Sequence, residues 1–354
     1  MQSINKYFLK TKKIPLDEFI ANALYDKNHG YYSKKIPFGK HGDFVTAPEI
    51  SFLFSEMLAV WVVSLWEHLD KPKIFNIVEL GPGSGRMSLT LIEVFKKFPN
   101  FFNSTNIFLY EKSKNLKKQQ KKELFGKKIK WINSFNNIKS GPVIFLGNEF
   151  FDAIPIKQYK KVGNVLYEKY VKLENNSKIK IFLKKNDLKT LEKLKKFNLY
   201  NNHSFIEFPK KGFEELDVIV KTIKRLNGGL LLIDYGFLKQ KNINTLQSVK
   251  NHKKNMLFDY IGNADITSLV NFDLLKNYFK RKKLNVNNIV TQEFFLKKMG
   301  ILDRAEILSK KMNFQEKSET YYRLQRLLNP KQMGELFKVI FAFKTKNKFT
   351  VGFI

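Results

Sequence analysis

The chain of 354 residues contains no cysteine. Disulfide bonds, thiolate metal ligands and cysteine nucleophiles are therefore excluded, and this composition is consistent with a reducing cytoplasm. Histidine is scarce as well, with five residues and no pair at the HxxxH spacing that places two metal ligands on one helix face. The sequence thus predicts neither a disulfide framework nor a metal centre.

Long apolar runs are also missing. Residues 57–66 (MLAVWVVSLW) form the longest apolar stretch of the first third, which is too short for a membrane span of about 20 residues. The N-terminus is basic, but it lacks the apolar segment and small-residue cleavage site of a signal peptide. We therefore expect a soluble protein in which residues 57–66 form a buried helix.

Acidic residues are few compared with basic ones. The chain has 32 Asp and Glu against 64 Lys and Arg, which gives a formal net charge of +32 at pH 7. Two interpretations stay open. The lysines form a solvated surface, or they attract RNA or acidic proteins in a salt-sensitive way that does not depend on the sequence of the partner. No RNA-binding motif accompanies the charge, so nucleic-acid binding beyond this non-specific attraction is not expected.

Short apolar runs bounded by turn residues predict buried strands, and helix-compatible segments separate them. The predicted strands are residues 74–80, 106–111, 129–132, 142–147, 228–236 and 336–345. Strand and helix in alternation are typical of a parallel sheet covered on both faces. The sequence therefore predicts an α/β fold with a Rossmann-like, doubly wound and mostly parallel sheet.

Two regions differ from this pattern. Residues 1–72 are predicted to form a helical N-terminal region and lid, because apolar residues recur at helical spacing on either side of a Gly- and Pro-containing loop at 30–51. Residues 156–185 alternate polar and apolar side chains, with turn signals at Gly163-Asn164 and Asn175-Asn176. They predict an antiparallel β insertion at about 156–215, within a core that extends over residues 73–354.

The segment VELGPGSGR, residues 78–86, follows the first predicted strand. Its glycines stand at every second position: Gly81, Gly83 and Gly85. Glycines here allow a sharp turn and a close approach of the backbone to a ligand. With Glu79 at the strand end, the spacing is E-x-G-x-G-x-G and differs from the G-x-G-x-x-G of dinucleotide sites. It is typical of enzymes that bind S-adenosylmethionine (SAM).

A second acidic residue, Glu111, ends the second predicted strand. A carboxylate at this place can accept hydrogen bonds from both ribose hydroxyls of a nucleotide-like ligand. The alternative is that Glu79 and Glu111 are only surface caps of their strands. Because both acids occur together with the glycines, the combination favours SAM as the cofactor.

The segment GNEFFDAIP, residues 147–155, follows the fourth predicted strand. The carboxyl ends of central strands face the ligand crevice of an open parallel sheet, so Asn148, Glu149 and Asp152 are expected beside the reacting methyl group. Two carboxylates three residues apart can hold a cation or orient a nucleophile. A solvated acidic turn is the alternative interpretation.

Motifs along nearly the whole chain resemble the MidA family, which includes a mitochondrial methyltransferase that acts in complex I assembly. They are NHGYY (28–32), GDFVTAPEIS (42–51), ELGPGSG (79–85), NEFFDAIPIKQ (148–158), LLIDYG (231–236), NTLQSVKNH (244–252), GNADITSLVNF (262–272), TQEFFLKKMGI (291–301) and MGELFKV (333–339). The chain departs from the family at Ser84-Gly85-Arg86, where the family usually has Arg and then Gly. We expect this difference to leave SAM binding intact. The match begins near Pro15, which leads us to expect a bacterial, cytoplasmic member without a mitochondrial presequence.

The resemblance implies a class I SAM-dependent methyltransferase, with mitochondrial relatives similar to protein arginine N-methyltransferases that act on a subunit of respiratory complex I. A protein substrate, with such a subunit as the example, is thus the implied partner. The implied cofactor-binding residues are Glu79, Gly81, Gly83, Gly85, Glu111, Asn148 and Thr46. The lid segment GDFVTAPEIS would add Asp43 and Glu49 as substrate contacts, and Tyr235 is a further candidate at the end of a core strand.

If the acceptor is arginine, Glu149 and Asp152 are the candidate catalytic carboxylates. The guanidinium group stays protonated near neutral pH, so carboxylates are needed to hold it and to take the proton that is released. Two alternatives remain at this point. The same core could methylate RNA or a small molecule, or the chain could be a non-catalytic assembly factor that retains a SAM pocket.

Overall fold

The N-terminal part of the chain is mainly helical in the computed structural model, which describes residues 13–34, 45–174, 178–201, 203–239 and 242–354. Its elements are β1 (Lys13–Pro15), α1 (Leu16–Tyr25), α2 (Tyr31–Lys34), α3 (Ala47–Ile50) and α4 (Phe52–His68). The predicted buried helix at 57–66 is confirmed within α4, where Ser51 caps the first turn by accepting a hydrogen bond from Leu53 N at 3.3 Å. Apolar residues occupy most positions of α4, so most of the helix is covered, and Trp61 is fully buried.

Strand and helix alternate in the next part, as predicted. The elements are β2 (Phe75–Leu80), α5 (Arg86–Phe95), α6 (Pro99–Ser104), β3 (Thr105–Tyr110), α7 (Lys114–Glu123), β4 (Ile129–Ile132) and β5 (Val143–Asn148). Each residue of β2 is buried, which is the expected state of a central strand covered on both faces.

An antiparallel sheet follows β5. Its elements are β6 (Lys157–Val162), β7 (Val165–Leu173), β8 (Ile179–Lys185), α8 (Leu188–Lys196), β9 (Phe205–Phe208) and α9 (Lys210–Leu226). The predicted turn at Gly163-Asn164 is confirmed, because Val162 pairs with Val165 across a two-residue loop in which Gly163 has a φ of +56°. The second predicted turn, at Asn175-Asn176, lies outside the described residues. Strand β1 also joins this sheet, with Ile14 opposite Val171.

The C-terminal part completes the central sheet. Its elements are β10 (Gly228–Phe237), β11 (Gln247–Lys250), β12 (Lys253–Asn255), β13 (Asp265–Thr267), β14 (Val270–Asn271), α10 (Phe272–Arg281), β15 (Asn285–Val286), β16 (Val290–Thr291), α11 (Gln292–Lys298), α12 (Ile301–Ser309), α13 (Phe314–Leu328) and β17 (Phe337–Lys344). Within the described residues, no helix is both long enough and apolar enough to cross a bilayer.

The central sheet has the order β15-β17-β10-β5-β2-β3-β4, with β14 beside β10 and β16 beside β17. Strands β10, β5, β2, β3 and β4 are parallel, and β17 runs antiparallel to its neighbours β10 and β15. The chain moves outward from β2 through β3 to β4 and then returns to β5 on the other side of β2. This reversal creates a crevice outside the carboxyl ends of β2 and β5, where ligands bind in open α/β sheets.

Alternate residues of the central strands supply two separate cores. In β5, Ile144 and Leu146 pack with α4, α5 and the C-terminal segment, whereas Val143 and Phe145 pack with α9, α10 and the inserted sheet. Helices therefore cover both faces, and the predicted doubly wound, mostly parallel α/β fold is confirmed. Because both faces of the sheet are covered, polar side chains of the central strands are expected at the carboxyl edge of the sheet.

Candidate active site

The glycine loop turns sharply between β2 and α5. Gly81, Gly83 and Gly85 have φ values of +61°, +54° and +87°, a region that favours glycine. Gly81 N donates a hydrogen bond to the Tyr110 carbonyl at 3.0 Å, which ties the loop to the end of β3. A Cβ atom at Gly81 would lie 3.2 Å from Cδ2 of Phe150. The loop thus needs glycine at position 81 for its conformation and for the space in front of it.

Glu79 lies inside the protein, between the sheet and α5. Its carboxyl group is 3% exposed and accepts a hydrogen bond from Ser88 Oγ. Burial raises the pKa of Glu79 from 4.5 to about 8. Ser88 is the third residue of α5, so this contact fixes the helix that follows the glycine loop. The structure places Glu79 behind the loop and outside the cavity lining.

Glu111 faces the cavity in front of the glycine loop. Its Oε1 accepts a hydrogen bond from Ser113 N at 2.7 Å, and its Oε2 accepts one from Gln120 Nε2 at 3.3 Å. Burial raises the pKa of Glu111, and the hydrogen bonds partly oppose that shift. Gln120 Nε2 also donates to the Gly83 carbonyl at 2.9 Å. One side chain of α7 therefore contacts both the glycine loop and Glu111 and fixes their relative position.

A cavity of about 300 Å³ opens between these groups. It is lined by the glycine loop, the end of β3, the turn after β5 and, from α1, Ala21 and Tyr25. Its volume is at the lower end of small-molecule sites, which enclose about 300–1,000 Å³. The cavity therefore lies at the switch point of the sheet, where the sequence predicted a ligand.

Glu149 brings a carboxyl group to the cavity from the turn after β5. It has a φ of +49°, an uncommon conformation for a residue with a side chain. Its Oε1 accepts hydrogen bonds from Ala47 N and from Asn148 Nδ2, each at 3.1 Å. Burial, and next the charge of Asp152, raise the pKa of Glu149 to about 8. At pH 7 the side chain of Glu149 is therefore mainly neutral.

Asp152 lies behind the cavity lining, at 7% exposure. Its Oδ2 accepts a hydrogen bond from the hydroxyl of Tyr235, and burial raises its pKa to about 6. Within the described part of the chain, no donor reaches the buried Oδ1 of Asp152 or the buried Oδ1 of Asn148. Buried acceptors rarely lack a partner, so the turn after β5 retains unused hydrogen-bonding capacity behind the cavity lining.

Asp234, at the end of β10, supports this turn from the neighbouring strand. Its Oδ2 accepts hydrogen bonds from Phe151 N at 2.8 Å and Asp152 N at 3.1 Å, and its Oδ1 accepts one from Tyr235 N at 2.9 Å. Burial, followed by the charges of Asp152 and Glu149, raises the pKa of Asp234 well above 3.8. Asp234 thus fixes the backbone that carries the candidate catalytic carboxyl groups.

The lid segment contacts the glycine loop through Glu49. Glu49 Oε1 accepts a hydrogen bond from Ser84 Oγ, and Arg86 Nε lies 3.1 Å from Glu49 Oε2. Ser84 and Arg86 belong to the segment that departs from the family pattern, and in this chain both contact Glu49 of the predicted lid. Thr46 directly precedes α3, whose first amide donates to Glu149. The structure places neither Thr46 nor Glu49 in the cavity lining, and Asp43 lies outside the described residues.

Tyr25 and Tyr32 form a wall that the sequence did not predict. Their rings stack with a centroid distance of 5.4 Å, and both line the cavity. Tyr25 Oη donates to the Ala153 carbonyl at 2.9 Å, and Tyr32 Oη donates to Asp265 Oδ1 at 3.1 Å. Tyr32 could have been identified from the sequence, because it lies in the family-like motif NHGYY. Tyr25 lies in an amphipathic helix, and no motif there indicates a role in the site.

The comparison with protein families decides which family the chain belongs to. Residues 57–290 match a family of S-adenosyl-L-methionine-dependent methyltransferases. The chain belongs to this family, the MidA family. It is accordingly a SAM-dependent methyltransferase, and the recognition made from the motifs is confirmed.

Relatives of the chain are similar over most of their length. The protein arginine methyltransferase NDUFAF7, mitochondrial, of Xenopus laevis is 29% identical over 93% of this chain and 80% of its own. The Danio rerio protein of the same name is 29% identical over 97% of this chain and 88% of its own. A Burkholderia thailandensis protein, solved with bound S-adenosyl-homocysteine, has the same fold, with a TM-score of 0.82 and 22% identity over 96% of this chain and 90% of that one.

The residues around the cavity fit SAM. The left-handed glycines leave a cradle that a Cβ at position 81 would fill, and Glu111 presents a buried carboxyl group beside it. When bound, SAM supplies a methyl group on a positively charged sulfur. In our interpretation the backbone of Gly81 and Gly83 would lie against the amino acid part of the cofactor, and Glu111 would accept from the ribose hydroxyls.

Proposed function

We propose that the chain methylates a guanidinium nitrogen of an arginine in a protein substrate. The observation that carries this proposal is the acidic turn after β5, where Glu149 reaches the cavity and Oδ1 of Asp152 has no donor within the described residues. A guanidinium group presents five N–H donors in a fixed plane and pairs with carboxylates at two points. It therefore brings donors and a positive charge to a turn in which burial raises the pKa values of two acids.

The raised pKa values fit a site that acquires its charge with the substrate. Burial holds the pKa of Glu149 at about 8 and that of Asp152 at about 6. A guanidinium group beside them would lower both pKa values, because an opposite charge favours the ionised carboxylate. Glu149, which lines the cavity, would then hold the guanidinium and draw its charge away from the attacking nitrogen. Asp152 lies behind the lining, so it would receive the proton that this nitrogen loses by way of Glu149.

The aromatic wall would complete the site. Tyr25 and Tyr32 would lie along the planar guanidinium and the aliphatic part of the arginine side chain, and they would exclude water from it. Their hydroxyl groups already donate to Ala153 and Asp265, so the rings are held in place before the substrate arrives. Positioning of this kind accounts for a large part of the rate in two-substrate reactions.

We further propose that the arginine belongs to a subunit of a respiratory complex and that the enzyme works in a bacterial cytoplasm. The first point is supported by the family resemblance and by relatives that are named mitochondrial arginine methyltransferases. The second is supported by the absence of cysteine. Because the chain carries a net charge of +32, the arginine is expected on a neutral or acidic protein.

The test is the Glu149→Gln variant, assayed with radiolabelled SAM and arginine peptides. Glutamine keeps an oxygen for Ala47 N but cannot carry the negative charge. We expect kcat to fall by about a hundredfold or more, while calorimetry finds the Kd for SAM within about twofold of wild type. Glu93→Gln, an exposed carboxyl group on α5, is the matched control and should behave as wild type. Near-normal turnover by Glu149→Gln would refute the role given to this residue, and labelling of RNA instead of peptides would refute the substrate class.

A further inference from the structure

The inserted sheet carries an open groove that is separate from the cofactor cavity. It has a volume of about 630 Å³ and lies between β7, β8, α8 and the start of α9. Its floor is apolar, with Leu194 and Phe208 buried. Its walls carry six lysines: Lys157, Lys184, Lys185, Lys189, Lys193 and Lys210. We call this feature the lysine groove.

The carboxylates of the lysine groove are already engaged. Glu168 accepts hydrogen bonds from Lys157 Nζ at 2.5 Å and from Asn186 Nδ2 at 3.0 Å. Asp187 caps α8 by accepting from Thr190 N at 2.8 Å.

By contrast, some of the lysines have no ion-pair partner among the described residues: Lys185, Lys189 and Lys210. All three are exposed. Unlike lysines scattered over a surface, they converge on one concavity, where their fields add. The groove therefore presents unneutralised positive charge to a ligand that can enter it.

The aromatic rings of the groove indicate which anion it would take. Tyr159 and Phe208 are buried, with 3% and 2% exposure. The Nζ of Lys193 lies 5.2 Å from the ring centre of Phe208, and the Nζ of Lys184 lies 5.2 Å from that of Tyr170. Single-stranded nucleic acids bind through bases that stack on open aromatic rings. Tyr159 and Phe208 offer no open face for stacking, and Lys184 lies over the half-buried Tyr170, so the groove favours side-chain carboxylates instead.

The groove lies next to the mouth of the cofactor cavity. Pro155 lines the cavity, and Lys157, two residues along the chain, lines the groove. On α9, Lys211 lines the cavity, and the preceding Lys210 lines the groove. Two residues of extended chain span about 7 Å. One bound polypeptide can therefore reach both places.

We propose that the lysine groove binds an acidic segment of the protein substrate, a few residues away in sequence or space from the arginine that enters the cavity. This inference rests on the proposed function, since it assigns the second contact of the same substrate. It also accounts for how a strongly basic enzyme selects an arginine, because acidic neighbours of that arginine supply the attraction. An arginine within a basic segment would be repelled.

The binding test uses fluorescein-labelled decaglutamate and measures fluorescence anisotropy. The groove variant combines three charge reversals: Lys185→Glu, Lys189→Glu and Lys210→Glu. The control combines three reversals at exposed positions between α12 and α13 and on α13, with the same change in net charge: Lys310→Glu, Lys311→Glu and Lys317→Glu. We expect the groove variant to weaken binding at least about tenfold and the control less than about twofold. Equal weakening in both would show that only net charge matters and would overturn the proposal.

A uridine decamer is the second probe. If the groove variant loses the decamer while it keeps decaglutamate, the groove binds nucleic acid and the proposal is wrong. If wild type binds neither probe at low ionic strength, the groove is no anion site and the proposal is likewise wrong.

Activity separates the groove from the proposed function. Wild type is expected to methylate an arginine peptide with acidic flanks at a lower KM than one with Gly-Ser flanks. The groove variant should raise the KM for the acidic peptide alone, about tenfold, with kcat unchanged. Arginine methylation that is identical in wild type and groove variant would overturn the groove and leave the function intact. Groove-dependent binding of decaglutamate without methylation of any arginine peptide would overturn the function instead.

Discussion

The hydroxyl of Tyr235, at the end of β10, donates a hydrogen bond to Oδ2 of Asp152, in the turn after the neighbouring strand β5. This contact joins two of the predicted site residues, which are 83 positions apart in the chain. It lowers the pKa of Asp152 against the larger effect of burial. Tyr235 therefore sets the pH above which Asp152 is ionised, which gives it a positioning role beside the acid.

The Tyr235→Phe variant should shift the pH dependence of the reaction. Without the hydrogen bond, the pKa of Asp152 rises above its value of about 6. Because we assign the proton-accepting role to ionised Asp152, the acidic limb of the kcat/KM profile should move to higher pH, by about one unit. Tyr278→Phe removes a similar hydrogen bond, to Asp217, outside the cavity lining and is the matched control. An unshifted limb in Tyr235→Phe would contradict the role of Asp152.

The Gly81→Ala variant should lose SAM binding. The new Cβ would be strained at a φ of +61° and would lie 3.2 Å from Phe150, in the space left for the cofactor. Gly163→Ala is the control, since its φ is +56° and a Cβ there meets nothing within 4 Å. Each variant should unfold about 1 kcal/mol more easily. Only Gly81→Ala should raise the Kd for SAM, by about tenfold or more in calorimetry; equal affinities would show that the cradle does not hold the cofactor.

The Glu111→Gln variant tests the ribose contact. Glutamine can keep one of the two hydrogen bonds, from Ser113 N or from Gln120, and it loses the charge that strengthens those from two hydroxyl groups. We expect a rise of about tenfold in the Kd for SAM, which corresponds to about 1.4 kcal/mol. Glu123→Gln, an exposed position at the end of α7, should leave the Kd unchanged. The same Kd in wild type and Glu111→Gln would remove Glu111 from the cofactor site.

The stability of the protein without SAM should fall as the pH rises. Glu79 has a pKa of about 8 in the folded protein and an ordinary value of 4.5, so the folded state binds its proton more tightly than the unfolded state does. Its contribution to the free energy of unfolding is complete below pH 4.5 and is lost as the pH rises towards 8. Urea unfolding at several pH values should show a smaller decline for Glu79→Gln than for wild type, by at most about 5 kcal/mol. An unchanged slope would mean that Glu79 is ionised in the fold.

The central sheet was predictable because its strands are short apolar runs that end at turn residues. For β2 and β4 the predicted and observed bounds agree within one residue. In β2 each residue is buried, because a central strand covered on both faces has few polar positions. The location of Glu111 and Glu149 could be predicted from the strand positions, because the carboxyl ends of parallel strands meet at one edge of the sheet.

The remaining parts of the site depend on contacts between distant segments. Gln120 is one polar residue in a lysine-rich helix, and only its contacts with Gly83 and Glu111 single it out. Strand β1 has three residues and pairs with β7 about 157 positions later, so no local sequence pattern predicts it. The support that Asp234 gives to the acidic turn is equally non-local, although the LLIDYG motif drew attention to its strand.

Strand β1 has a consequence for how the molecule opens. It pairs with β7 of the inserted sheet and leads directly into α1, which carries Tyr25 on the cavity wall. Lys157 of the insertion adds an ion pair with Asp17 of α1 at 3.0 Å. The insertion and the cavity wall should accordingly lose their amide protection together in hydrogen exchange, as one cooperative unit, while the parallel strands behind the glycine loop stay protected. We therefore expect an accessory sheet that is remote from the glycine loop in sequence to set how often the cavity wall unfolds.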